Sequence, residues 1–288
     1  MHGLLVVDKP AGLTSHDVVD RCRRALGERR VGHSGTLDPD ATGVLLVGVG
    51  SLTRVLRFLT ELPKRYTGEV VLGVETSTLD AAGEVTARHA MAPPDMSLVR
   101  EVVAQHLTGP IMQVPPMVSA LKVDGRRLHE LAREGVEVER APRPVTVHSF
   151  SVEVTGDPMV LAIDVTCSSG TYVRTLAADL GRLLGGGAHL RRLRREAIGS
   201  FDAAHAVSLE DVGPDVLLAP VTALRDYARV DVDEALAGLV RHGRVLDRSD
   251  AFAGDGPWAV VGPGDDLLAV YEKMGQGAVK PAVVLSGA

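Results

Sequence analysis

The sequence predicts an α+β fold: a large domain over residues 1–225 with a largely antiparallel mixed sheet, and a small β-rich domain over 226–288. Three observations lead there. Val- and Thr-rich segments bounded by turn residues outnumber helical patterns. Strands and helices do not alternate regularly, which argues against a doubly wound parallel sheet. Near residues 213–230 the composition shifts to short apolar runs divided by Gly, Pro and Asp. At 288 residues and 45% hydrophobic content, the chain is long enough for one large core or two unequal domains.

In chain order, "GLLVVDKPAG" reads as a short strand and a turn, followed by a helix capped by Thr14 or Ser15 and stopped by Gly27. Val18, Val19, Cys22, Ala25 and Leu26 share one face at helical period. "GVLLVGVG" is a continuous apolar run suited to a buried strand, and "GEVVLGVET", "RPVTVHSFSVEVTG" and "MVLAIDVTC" read as strands. "SLVREVVAQHL", capped by Ser97, and "TYVRTLAADLGRLL" carry helical spacing. Residues 108–143 interrupt the pattern with prolines, glycines and alternating charges, an excursion with a short helix near Leu128–Arg133. "GPWAVVGPGDDLLAVYEK" and "KPAVVLSG" supply the strands of the second domain.

Several classes drop out. No apolar run approaches the roughly 20 residues of a membrane helix, so the expected location is cytoplasmic and no membrane partner is expected. Cys22 and Cys167 lie far apart without a CxxC or paired histidines, which predicts buried thiols and no metal. Dinucleotide, P-loop, HExxH and GxSxG signatures are absent, so no cofactor is expected. The net charge of −6 hides an asymmetry: 14 acidic and 7 basic residues from 201 onward, against 23 acidic and 24 basic before it. Arginines cluster at Arg21, Arg23, Arg24, Arg29 and Arg30, and again at Arg191, Arg192, Arg194 and Arg195, as solvated faces or as contacts for an anionic partner.

The stretch "GHSGTLDPDATG" places Asp38 between small residues and a proline. On its residues alone the loop reads either as an Asx-turn or as a carboxylate under a bulky ligand, for which Gly32, Gly35 and Gly43 permit close approach. A glycosidase pair of Asp38 and Asp40 is a poor fit, because residues two apart in a turn cannot easily flank a bond.

"GHSGTLDPDATGVLLVGVGSLTRVL" closely resembles the catalytic segment of the TruB family of tRNA pseudouridine synthases. "LLVVDKPAGLTSHDVV", "KRYTGEVVLGVETSTLDAAG" and "SSGTYVRTLAADLG" resemble the family's opening, tyrosine and third motifs. "QVPPMVSALKVDGRRLHELAREGVEVERAPRPV" resembles its RNA-clasping insertion. The blocks follow family order over roughly residues 3–200.

The resemblance implies a pseudouridine synthase catalytic domain with an insertion at about 108–143 and a PUA-like C-terminal domain. The implied activity is isomerisation of the T-arm uridine of tRNA conventionally numbered 55, on a flipped-out base. Asp38 is the implied nucleophile, attacking C1′ covalently or working through a glycal, and Arg174 is its cationic partner. Tyr66 is implied to stack on the uracil, Tyr172 to reach the carboxylate or sugar, His33 to lie against the RNA, Leu193 to wall the pocket and Lys9 to support the site. Lys122, Arg126, Arg127, Arg140 and Arg143, with Arg191–Arg195, are candidates for phosphate contacts. The implied partner is the tRNA T arm, with no cofactor and no obligate protein partner. Competing readings are a non-catalytic RNA-binding or RNA-folding protein and a subunit of a guide-RNA complex. The second is disfavoured by the insertion, which the family's stand-alone members carry.

Overall fold

The computed structural model describes residues 1–119, 121–123, 125–128, 131, 134–136 and 138–285, with backbone alone for 122, 123 and 127. Two compact units are present: Met1–Leu62 together with Ala197–Ala288, and Pro63–Glu196.

The first unit opens with β1 (Gly3–Lys9), α1 (Ser15–Leu26), β2 (Val31–His33), β3 (Thr42–Val49) and α2 (Leu56–Glu61). β1 runs antiparallel to β3, from Gly3 opposite Val49 to Lys9 opposite Gly43. β2 also pairs with Val47–Val49, which requires the other edge of β3. That central position explains the unbroken apolar run: Leu45 and Val47 pack with α1 through Val18, Val19 and Cys22, while Val44 and Leu46 face a second cluster. Thr14 caps α1 in a reciprocal capping box with Asp17, and Gly27 closes it at φ 61°.

The second unit contains β4 (Lys64–Leu72), β5 (Val74–Thr76), β6 (Val85–Arg88), α3 (Met96–His106), β7 (Gly109–Gln113), β8 (Lys122–Val123), β9 (Arg126–Arg127), β10 (Arg143–Val154), β11 (Val160–Cys167), α4 (Val173–Leu183) and most of β12 (Ala188–Ile198). Its sheet runs β12-β4-β11-β10-β7, and β4, β11, β10 and β7 pair antiparallel in turn. The expected single strand "GEVVLGVET" is broken at Gly73, whose φ of 79° turns its N–H to Gly187 O and its carbonyl to His89 N. α3 begins one residue before Ser97, because the Asp95 carboxylate accepts from Ser97 N at 2.8 Å and so is the cap. The excursion carries the β8–β9 hairpin. Of its expected helix near 128–133, residues 129, 130, 132 and 133 lie outside the described residues, while Leu128 and Leu131 are buried.

Returning to the first unit, the chain adds β13 (Phe201–Asp202), β14 (Ala228–Asp231), α5 (Glu234–Arg241), β15 (Leu246–Asp247), β16 (Trp258–Val261), β17 (Leu267–Met274) and β18 (Ala278–Val284). The expected β-rich module is a five-stranded sheet, β14-β16-β17-β18-β15, parallel only at β14–β16. The sheet also carries α5, capped by Asp233. Trp258, Phe252, Tyr271 and Val240 form a core of its own. From the same module, Ala259, Val261, Leu267, Val270 and Leu285 join Leu4, Val6, Val44 and Leu46 in one cluster. Each fully buried aliphatic side chain contributes about 1.5–3 kcal/mol, and several such losses rival the stability of a whole domain. A chain ended after residue 225 is therefore expected to lose cooperative thermal unfolding. A sharp calorimetric transition near that of the full chain would contradict this.

Candidate active site

In the first unit the loop after β2 is held at backbone level on both sides of Asp38. Ser34 N donates to Leu46 O at 2.9 Å, and Gly35 turns the chain at φ 88°. Ser15 Oγ accepts from Leu37 N at 2.9 Å and donates to Leu37 O at 3.2 Å, tying the loop to the first residue of α1. Asp38 O accepts from Ala41 N at 3.1 Å, a tight turn with Pro39 in its second place. Pro39 O accepts from Gly12 N at 2.9 Å and from Lys9 Nζ at 2.8 Å. Lys9 is 0% exposed and donates also to Leu13 O at 2.6 Å and Pro10 O at 2.9 Å, which suits support of the loop. Asp38 is half-buried and Asp40 is exposed. His33 closes β2 and meets His16 edge-to-face at 6.3 Å, a neighbour that sequence reading missed.

Lys9→Met would take the side-chain donor from the Leu13 carbonyl and leave Pro39 O with the Gly12 N–H alone. Buried polar groups left unpaired cost about 1–3 kcal/mol each. We expect a loss of about 3 kcal/mol in urea unfolding; a loss under about 1 kcal/mol would remove Lys9 as the tie of this loop.

The second unit carries the other predicted side chains. Tyr66 is buried on β4 opposite Val165, and Leu193 is half-buried on the neighbouring β12. Tyr172 caps α4, and Arg174 lies on that helix's first turn. Arg174 is 5% exposed; its guanidinium donates to Thr78 O at 3.1 Å and Val118 O at 3.0 Å and pairs with Asp80 at 3.3 Å. Asp80 is in turn held by Thr78 Oγ1 at 2.5 Å and Ala82 N at 3.1 Å. The preceding Leu79 has φ 63°, a left-handed conformation uncommon for a leucine, and Leu190 N donates to its carbonyl at 3.0 Å. Asp80 is a functional candidate that sequence reading did not single out, although "LDAAG" has the form of an Asx-turn.

The basic candidates divide. Arg143 is exposed, Arg140 is half-buried and Arg126 pairs with Glu134. The side chains of Lys122 and Arg127 lie outside the described residues. Arg191 and Arg192 share Glu69, at 2.8 and 3.6 Å, and Arg194 reaches Glu196 at 3.5 Å. Arg195 is 1% exposed, so it does not offer its charge to solvent as the sequence had suggested. Burial pushes the Cys22 and Cys167 thiols up to about 11, which leaves them protonated and poor nucleophiles.

Comparison with known proteins gives this geometry its context. Residues 23–173 match the model of the TruB family pseudouridylate synthase N-terminal domain, and residues 174–235 that of the tRNA pseudouridylate synthase B C-terminal domain. A tRNA pseudouridine synthase B of Rhodococcus jostii is 46% identical over 98% of this chain and 93% of its own. One of Symbiobacterium thermophilum is 51% identical over 84% of this chain and 82% of its own. Among solved structures, a chain of a Cbf5-Nop10-Gar1 complex superposes with a TM-score of 0.76 at 24% identity, covering 98% of this chain and 84% of that one. A chain of an H/ACA RNP bound to a substrate RNA containing 2′-deoxyuridine gives 0.74 at 22% identity, covering 99% and 85%. The α+β fold is thus one shared with such proteins, and the sequence defines the class as a pseudouridine synthase, an isomerase acting on tRNA. The chain belongs to the TruB family of pseudouridylate synthases.

Proposed function

We propose that this enzyme converts the T-arm uridine conventionally numbered 55 of tRNA to pseudouridine, with Asp38 as the nucleophile on a flipped-out base. The observation that carries the reading is the Asp38 loop, whose backbone is pinned at Leu37 by Ser15 and at Pro39 by Lys9 and Gly12. A carboxylate on so fixed a turn can be aimed without reorganisation during reaction.

The reaction balances without an external reagent. The N1–C1′ bond of uridine breaks, the uracil turns over, C5 bonds to C1′, and the C5 proton leaves while N1 gains one. Asp38 either attacks C1′ and is later displaced, or stabilises a cationic sugar and removes a ribose proton to give a glycal. Tyr66 stacks on the uracil, Tyr172 serves the sugar, His33 contacts the RNA and Leu193 walls the base. Arg174 is the cation that favours an ionised carboxylate.

The target base is unstacked from a folded loop, at a cost of a few kcal/mol. Phosphate contacts from the 108–143 excursion offset it, through Lys122, Arg126, Arg127, Arg140 and Arg143. Replacing Arg126, Arg127, Arg140 and Arg143 together is expected to weaken tRNA binding and to reduce the slope of log affinity against log salt by about 3. Unchanged affinity and slope across a salt series would remove the excursion from RNA binding.

In this reading residues 1–225 form the catalytic domain and 226–288 a PUA-like accessory module whose acidity disfavours direct RNA contact. The enzyme works in the cytoplasm without an obligate protein partner. Among the described residues no helix is long and apolar enough to cross a membrane. The assignment is tested by mapping pseudouridine in tRNA transcripts treated with the protein. Modification confined to a position other than 55, or absent from the T arm, would overturn it.

A further inference from the structure

β7, near the start of the 108–143 excursion, ends at Gln113, opposite Arg143 in the β7–β10 ladder. Gln113 is 2% exposed. Its Oε1 accepts from Tyr172 N at 2.7 Å, and its Nε2 donates to Tyr172 O at 3.1 Å. One side-chain amide thus closes on both backbone polar groups of a single residue. Tyr172 is the N-cap of α4 and has no side-chain capping bond of its own. Its carbonyl already receives the first helical bonds, from Thr175 N at 3.1 Å and Leu176 N at 3.2 Å. Further along the segment that Gln113 begins, Val118 O receives the Arg174 guanidinium at 3.0 Å. The same stretch of chain therefore holds the first turn of α4 twice: by the backbone of Tyr172 and by the head of Arg174.

We propose that Gln113 is a positioning residue for the isomerisation: its amide clamp on Tyr172 fixes the first turn of α4 and thereby aims Tyr172 and Arg174. The proposal rests on the roles given above to those two residues. Gln113 lines one wall of a pocket of about 110 Å³ with Arg143, Ser169 and Tyr172, and its amide is committed to the α4 backbone. A loosened first turn lets the phenol and the guanidinium drift by fractions of an ångström. Misplacement of about 1 Å costs on the order of 100-fold in rate, while none of the side chains given to phosphate contact is itself replaced.

The test is steady-state and single-turnover kinetics of Gln113→Met and Gln113→Glu in the full chain, beside Tyr172→Phe and Arg174→Lys. Gln113→Met, which removes donor and acceptor at similar volume, is expected to lower kcat about 10- to 100-fold with KM for tRNA within about twofold of the parent. Gln113→Glu gives a readout that general destabilisation would not. Its carboxylate keeps the acceptor for Tyr172 N–H but turns a second acceptor toward the Tyr172 carbonyl, and protonation restores the donor. Desolvation favours that protonation. Arg143 and Tyr172 also line the pocket, and because both are common to variant and parent, the ratio of the two activities cancels their contribution. The activity of Gln113→Glu relative to the parent is therefore expected to rise as pH is lowered from about 8 to about 5.5, while the ratio for Gln113→Met stays flat.

A raised KM with unchanged kcat would place Gln113 in RNA binding and overturn the proposal, as would parent-like kinetics. If Gln113→Met does not fold, the pH ratio of Gln113→Glu decides alone, and a flat ratio refutes the clamp. Parent-like kinetics in Tyr172→Phe and Arg174→Lys would instead sink the reading of the site itself, whatever the Gln113 variants do.

Discussion

Asp38→Asn is expected to abolish pseudouridine formation, with single-turnover rates reduced by at least about 10³-fold, while the affinity for tRNA stays within a few-fold of the parent. The substitution keeps the volume and polar character of the side chain but removes the negative charge and the nucleophilic oxygen pair. The turn survives, because its bonds at Leu37, Pro39 and Ala41 are made by backbone atoms together with Ser15, Lys9 and Gly12. Filter binding on the inactive variant separates chemistry from binding. A residual rate within about tenfold of the parent would remove the carboxylate from the chemical step.

The second large effect is expected at Arg174. Its guanidinium is bound to Asp80 and to the Thr78 and Val118 carbonyls, and it is almost wholly buried. Arg174→Met takes the guanidinium from the Thr78 and Val118 carbonyls and leaves Asp80, still bonded by Thr78 Oγ1 and Ala82 N, without its cation; breaking one side of a buried ion pair costs about 3–5 kcal/mol. Arg174→Lys keeps the charge, but a single ammonium on a flexible stem does not reproduce the planar fork that spans three acceptors. We expect Arg174→Met to unfold at markedly lower urea concentration, and Arg174→Lys to fold yet lose about 100-fold or more in kcat. An Arg174→Lys enzyme with parent kcat would reduce the arginine to a structural role.

Local patterns were legible in the sequence; pairings between distant segments were not. The run "GVLLVGVG" announced a buried strand, and β3 is that strand, flanked by β1 and β2. The Gly-rich turn around Asp38 was equally plain, because its turn residues are contiguous. Asp80 and Gln113 gave no such signal: one finds its partner on α4 far along the chain, and the other gains its role only where the end of β7 meets Tyr172. β12 was hidden by its own arginines. "AHLRRLRREAI" looks like a solvated run, yet Arg191 and Arg192 pair with Glu69 on β4 and Arg195 turns inward. The cap of α3 shows the same limit at short range, since Asp95 and Ser97 are both good caps and only the backbone geometry selects Asp95.

Isomerisation of one T-arm uridine through Asp38 would release tritium from C5 of uracil in an unmodified tRNA transcript. The C5 hydrogen is lost when the new carbon bond forms. Release approaching one equivalent per tRNA is expected with the native protein, none with Asp38→Asn, and none from a transcript carrying cytidine at position 55. Release by the Asp38→Asn protein, or undiminished release from the substituted transcript, would contradict isomerisation of that uridine through Asp38.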